Sequence, residues 1–311
     1  MLTEVKEQNE GVQFLQRIVT GQLSCPLLLV GPEGVGRRFS VLEAARTAFS
    51  GGDPSSIHSF QIDKGAHPDL IFVTPEDQKD LGIDAIREVI EQASFLPMMA
   101  SNRYVVLDGV DTMTVPAANA FLKTLEEPPP CTRFFLLAES RKKVLPTIQS
   151  RCGIVRYNPL SEAFVVEQLR RHTDDPTKAL VYARLSEGSV GRALQFLGSG
   201  RLSIRDDMLG LLKKGLTKDL ASILAAVGEV TDLRQGLHFL EHLLRDLLML
   251  PHDPSHIANL DIAEDLGRLR DQLGEARVLK LVDGLRRVQR ENGPINLPFH
   301  VKTYFATTFL E

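Results

Sequence analysis

The chain has 311 residues, 43% of them apolar, and a net charge of −4 at pH 7. That length accommodates two or three domains with packed cores, and the net negative charge excludes the broad basic field of a stand-alone nucleic-acid binder. Trp is absent and aromatics make up only 6%, which excludes a stacking platform for single strands, and the three cysteines, Cys25, Cys131 and Cys152, are widely spaced and odd in number, which points to a reducing cytoplasm and not to a disulfide framework.

In chain order, residues 1–11 are polar and lack a signal-peptide core. Val12, Leu15, Ile18 and Val19 recur at helical spacing and predict a helix over 8–21. Pro26 introduces a first strand, Leu27–Val30, and Phe39, Leu42, Ala45 and Ala48 mark a helix that stops at Gly51-Gly52. Residues 51–66 read as a polar loop, with His58 and His67 as solvent or turn residues. A second strand is expected at Leu70–Val73, a helix on Ile83, Ile86, Val89, Ile90 and Ala93, and a third strand at Arg103–Asp108. A helix over 115–127 is stopped by Pro128-Pro129-Pro130. Strands follow at Arg133–Ala138 and Gly153–Tyr157. Short apolar strands alternating with helices predict a parallel, doubly wound α/β sheet.

Beyond Pro159 the strand pattern ceases. Residues 160–200 suggest three short helices broken at Asp174–Pro176 and Gly188-Ser189, and the chain reads as helical from 203 onward. Leu240, Leu243, Leu244, Leu247 and Leu248 form one apolar stripe, and Val278, Leu281, Val282, Leu285 and Val288 another. Both read as core positions of a helical domain, or as an oligomer interface. No apolar run approaches the roughly 20 residues of a membrane span.

Three stretches carry chemistry. Residues 27–39, LLLVGPEGVGRRF, run from strand through a Gly-rich turn into a helix, the layout that cradles a phosphate on backbone N–H groups. Gly31, Gly34 and Gly36 fit, but Arg37 stands where G-x-x-x-x-G-K-[ST] has its lysine and Arg38 where it has its hydroxyl. Arginine is not a substitute for the compact lysine ammonium, and it cannot ligate magnesium. Asp108 ends an apolar strand, where a Walker B aspartate would hold magnesium, but Gly109 follows in place of the catalytic glutamate and Asp111 is one turn away. The third stretch is Ser150-Arg151-Cys152, between LPTIQ and an apolar strand.

Together with HPDL at 67–70, GIDAIREV at 82–89, AANAFLKTLEEPP at 117–129 and GSVGRAL at 188–194, these stretches give the chain a resemblance to the delta-prime subunits of bacterial DNA polymerase III clamp loaders, which are AAA+ relatives. The resemblance covers the first 200 residues in order and spacing. It implies a P-loop-type parallel sheet domain over 1–158, a small helical lid over 159–202 and an all-α collar over 203–311. It further implies a subunit that assembles with motor subunits of the gamma or tau type and a delta subunit, and that meets the sliding clamp and primed DNA through the complex, with no membrane. Arg151, flanked by Ser150 and Cys152, matches the arginine that projects into a neighbouring motor subunit's ATP site, and Lys123 is positioned to reach across the same interface. No cofactor is required on this reading, though the glycines leave room for weak or vestigial ATP binding. The four-cysteine zinc module of many relatives has no counterpart in 49–66, so no zinc or other metal is expected. The lid arginine of active motors falls at Gly191, with Arg192 one place later and about 100° round the helix. Three readings stay open: a non-hydrolysing stator that donates an arginine in trans, a motor that hydrolyses ATP in cis, and an inert scaffold.

Overall fold

β1 (Leu27–Val30) is an apolar run with no polar position, and the reason is visible in its neighbours. It lies inside a five-stranded sheet with order β2-β3-β4-β1-β5. The other strands are β2 (Leu70–Val73), β3 (Arg103–Asp108), β4 (Thr132–Ala138) and β5 (Gly153–Arg156), and every pairing is parallel. Side chains alternate between faces along a strand. Leu27 and Leu29 accordingly enter one core and Leu28 the other. All three are fully buried, each contributing roughly 1.5–3 kcal/mol of apolar transfer. A parallel sheet covered on both faces requires such continuous apolar strands.

The computed structural model describes residue 2 and residues 4–75, 80–198, 202–217, 219–290 and 297–310. One face of the sheet is covered by α1 (Asn9–Val19) and α2 (Arg37–Ser50), the other by α4 (Ile83–Ser94) and α5 (Val115–Glu126). Thr114 caps α5 by accepting from Ala117 N. The segment 51–66 is not simply a loop: it contains α3 (Ile57–Asp63), whose N-cap Ser56 accepts from Ser59 N. A short α6 (Pro146–Gln149) leads into Ser150.

The chain divides into two compact units, Met1–Ser161 with Ser189–Gly191, and Glu162–Gly188 with Arg192–Glu311. The elements described in the second are helical: α7 (Glu162–Leu169), α8 (Pro176–Leu185), most of α9 (Val190–Gly198), α10 (Leu202–Gly215), α11 (Leu220–Glu229), α12 (Leu233–Met249), α13 (Ala263–Leu273), α14 (Glu275–Arg290) and α15 (Leu297–Leu310). The predicted breaks at Asp174–Pro176 and Gly188-Ser189 fall between helices; residues 199–201, at the end of the third predicted helix, lie outside the described residues. Leu240, Leu243, Leu244 and Leu247, and Val278, Leu281, Leu285 and Val288, are buried, so both stripes are core positions of this unit. Among the described residues no helix is long and apolar enough to cross a membrane.

Candidate functional site

Because all five strands run the same way, the two motif regions fall at opposite ends of the strands. The Gly-rich loop follows the C-terminal end of β1. Asp108, the last residue of β3, lies at that same C-terminal end of the strands. Gly36 caps α2 in the left-handed region at φ 98°, a conformation that glycine adopts without strain. The next residues depart from a nucleotide loop. Arg37 is buried, and its Nη1 has no hydrogen-bond partner among the described residues. Arg38 turns to the sheet edge and lies over the Phe72 ring, 4.5 Å from its centroid, a cation–π contact. The loop is also held from outside. Gln8 Nε2 donates to Val35 O at 3.2 Å and to Asn158 O at 2.8 Å. Gly191 N donates to Gly34 O at 3.2 Å. A Cβ on Gly34 would come within 2.2 Å of Ser189 Oγ, so the middle of the loop has no room for a side chain.

Burial pushes the Asp108 carboxyl above its ordinary range, while Arg37 and Arg38 pull it down only in part. An aspartate that holds magnesium must be ionised; this environment works against ionisation. Gly109 stands at φ 82°, and a Cβ there would lie 3.0 Å from Pro75 Cγ. The backbone thus disfavours the glutamate that the motif lacks. Asp111 is engaged elsewhere, its Oδ1 accepting from Glu139 N at 3.4 Å.

Ser150-Arg151-Cys152 lies at the N-terminal end of the strands, before β5. Leu27 pairs with Gly153 in register, so Arg151 sits below the start of β1 and the loop above its end. Four residues of strand at ~3.3 Å each put about 13 Å between them. Arg151 folds back on its own chain: Nε donates to Glu126 Oε1 at 2.7 Å, Nη2 reaches the same oxygen, and Nη1 donates to Thr147 O at 2.9 Å and Ser150 Oγ at 3.2 Å. Glu126 ends α5, and the exposed Lys123 lies one turn before it, so the structure gathers Arg151, Ser150 and Lys123 around the last turn of one helix. Cys152 differs in kind. Burial, with Cys25 nearby, pushes its thiol up to about 12, which keeps it protonated at neutral pH, and it packs beside Ile154 against the core under α5.

A family profile described as "DNA polymerase III, delta subunit" matches residues 7–161. The DNA polymerase III subunit delta' of Escherichia coli K12 is 33% identical over 230 residues, covering 73% of this chain and 69% of that one. The corresponding subunit of Pseudomonas aeruginosa is 30% identical over 271 residues, covering 83% and 82%. The chain belongs to the delta-prime family of DNA polymerase III subunits. In fold, it is similar to a DNA polymerase III gamma-subunit-related protein of Thermotoga maritima, with a TM-score of 0.54 at 20% identity over 96% of this chain and 98% of that one.

Within this delta-prime chain, the structure gives two motif positions a role that the sequence reading did not assign. His67 is buried, not solvated: its Nδ1 accepts from Asp69 N at 3.1 Å, its Nε2 lies 2.9 Å from His58 Nδ1, and the two rings stack 5.2 Å apart. The proton order follows from the amide, which can only donate: Nδ1 of His67 is the acceptor, so Nε2 carries the hydrogen. Asp69 is fully buried and accepts from the amides of Met98, Met99 and Ala100 at 2.7–2.8 Å, with Arg103 Nη2 at 3.4 Å. Burial alone would raise its carboxyl, but the three amides and Arg103 outweigh it and hold the group below its ordinary range. The signal for both was the HPDL motif, which sequence alone could place but not wire to partners thirty residues on.

Proposed function

We propose that this delta-prime chain is a non-hydrolysing subunit of a clamp loader, acting as a stator and presenting Arg151 in trans to the ATP site of an adjacent motor subunit during loading of the sliding clamp on primed DNA. The observation that carries the reading is the placement of Arg151 and the Gly-rich loop at opposite ends of adjacent strands in one parallel sheet. An arginine about 13 Å from its own loop is useless to a nucleotide held there, whereas a guanidinium at the subunit's edge suits a site built by another chain. Such arginines contribute roughly 10³–10⁵ in rate to phosphoryl transfer. Residues 159–202 would form a lid and residues 203–311 a collar that joins the ring. No metal-dependent step is assigned to Asp108, and no cofactor is required by this reading.

One observation favours the inert-scaffold reading: Arg151 already has a partner in Glu126. The magnitude argues against treating that as decisive. Both side chains are partly exposed, 28% and 50%, and ion pairs of that kind contribute about 0–1 kcal/mol, far less than the roughly 4–7 kcal/mol that a 10³–10⁵ rate effect represents. The test is clamp- and primed-DNA-stimulated ATP hydrolysis by a reconstituted loader carrying wild-type chain or Arg151→Ala, with assembly checked by gel filtration. A large fall with assembly intact supports the trans role. An unchanged rate removes it and leaves the scaffold.

A further inference from the structure

α12 carries the run His238-Phe239-Leu240-Glu241-His242. Residues four apart share a helix face, so the two imidazoles lie together, their ring centroids 4.7 Å apart. His242 is only 3% exposed, and neither of its ring nitrogens has a hydrogen-bond partner among the described residues. A buried imidazole with two orphan nitrogens calls for an explanation. The carboxylate of Glu187, on the turn after α8, points at it: Oε1 lies 3.4 Å from His242 Nε2. One donor atom from each of Glu187, His238 and His242 lies within 4.8 Å of the other two.

We propose that Glu187, His238 and His242 form a zinc site that ties α12 to the turn after α8. Two imidazoles and a carboxylate are a recurrent zinc donor set, and they leave a fourth position for water. Bonds of about 2.0–2.1 Å in a tetrahedron give donor–donor edges of about 3.4 Å, which is the separation between Glu187 Oε1 and His242 Nε2. The surroundings supply outer contacts of the kind that orient ligands. His238 Nε2 lies 3.3 Å from Leu185 O; a carbonyl only accepts, so that nitrogen carries the proton and Nδ1 keeps its lone pair. Arg192 Nη1 approaches the other Glu187 oxygen, Oε2, at 3.6 Å, leaving Oε1 for the metal. Glu241 is not a member: its Oε2 accepts from Gln289 Nε2 at 3.1 Å. H-x-x-E-H on a helix also occurs in metallopeptidases with the glutamate as catalytic base, and that engagement with α14 makes the present site a brace. In the sequence, the proposed site has no cysteine signature such as the module sought at 49–66; its one signal is the i, i+4 histidine pair His238 and His242. This proposal stands independently of the clamp-loader role.

The test uses the full chain, stripped by chelator dialysis and titrated with zinc and, as a spectroscopic probe, with cobalt(II). The expected result is one zinc per chain by elemental analysis, a melting temperature raised by zinc and lowered again by chelator, and a tetrahedral cobalt spectrum without thiolate charge transfer. Glu187→Gln and His238→Gln, both outside the deeply buried core, should each weaken binding by at least the roughly 10–100-fold that follows loss of even an outer-shell partner. Sub-stoichiometric zinc, a thiolate signature from Cys25, Cys131 or Cys152, or variants that bind like wild type would each overturn the site.

Discussion

Gly34 and Gly191 are in backbone contact. The amide of Gly191 donates to the carbonyl of Gly34 at 3.2 Å, and a Cβ on Gly191 would fall 2.9 Å from Gly34 Cα. The resemblance puts the lid arginine of active motors at Gly191, and packing there disfavours such a side chain. Gly191→Arg is expected to lower stability by the 1–3 kcal/mol typical of overpacking and to leave nucleotide binding no tighter. Chemical denaturation and titration with a fluorescent ATP analogue measure the two effects; tight binding by the variant would refute the steric account.

The Arg151–Glu126 pair predicts an asymmetric pair of phenotypes in the reconstituted loader. Arg151→Lys should lose nearly as much ATPase rate as Arg151→Ala, because lysine lacks the planar fork that arginine presents to phosphate. Glu126→Gln should keep the rate or raise it by at most about fivefold, the ceiling set by a partly exposed ion pair. A collapse of activity in Glu126→Gln would mean that the pair holds the working geometry.

At the Walker B position, two substitutions separate chemistry from strain. Gly109→Glu restores the missing base on paper, yet it places a side chain at φ 82° against Pro75; the isolated variant should show no gain in ATPase activity over wild type and should be less stable. Asp108→Asn should stabilise the fold at neutral pH. The sign follows from the raised carboxyl: a group whose folded pKa exceeds its unfolded value favours folding at low pH and disfavours it as pH rises through the folded pKa. Unfolding curves at pH 4 and pH 7 should therefore show the gain at pH 7 alone.

Asp69 should show the opposite pH dependence. Its carboxyl is held below the ordinary range, so its contribution is present above the unfolded pKa and is lost as pH falls through the folded one. Asp69→Ala strands the amides of Met98, Met99 and Ala100 and the buried Arg103, and should cost about 3–5 kcal/mol. Urea titration measures it, and a loss below 1 kcal/mol would mean that water replaces the carboxylate.

His242, at about 3 in the folded chain against an ordinary 6.5, predicts that zinc-free protein loses stability as pH drops from 6.5 toward 3, because only the unfolded imidazole takes up the proton. The groups facing it are His238 and Arg245 on its own helix, Glu187 on the turn and Arg192 beyond it. His242→Phe should flatten that limb of the stability curve; an unchanged slope would place the titration elsewhere.

The elements most legible in the sequence were those whose signal is local. Leu27–Val30 and Arg103–Asp108 are apolar runs between turn signals, and both are strands where they were expected. The helix Ile57–Asp63 was hidden because its residues are mostly polar and its start depends on one serine, Ser56. His67 differs for another reason: its burial comes from partners such as Phe49 and His58, in other elements. The same limit applies to the motif residues. Arg38 could be seen to lack a hydroxyl, but not to lie on Phe72, and Arg151 could be matched to a family position, but not to Glu126, 25 residues away.

The cation–π contact of Arg38 has a further meaning. A hydroxyl at that position would be silent until a metal arrived; a guanidinium there already rests on Phe72, a contact worth roughly 0.5–1 kcal/mol. The first turn of α2 thus turns one of its two arginines to the sheet. On the proposed stator reading, a turn whose arginine already has a partner in the sheet fits a chain that serves as the fixed reference against which the other members of the machine move.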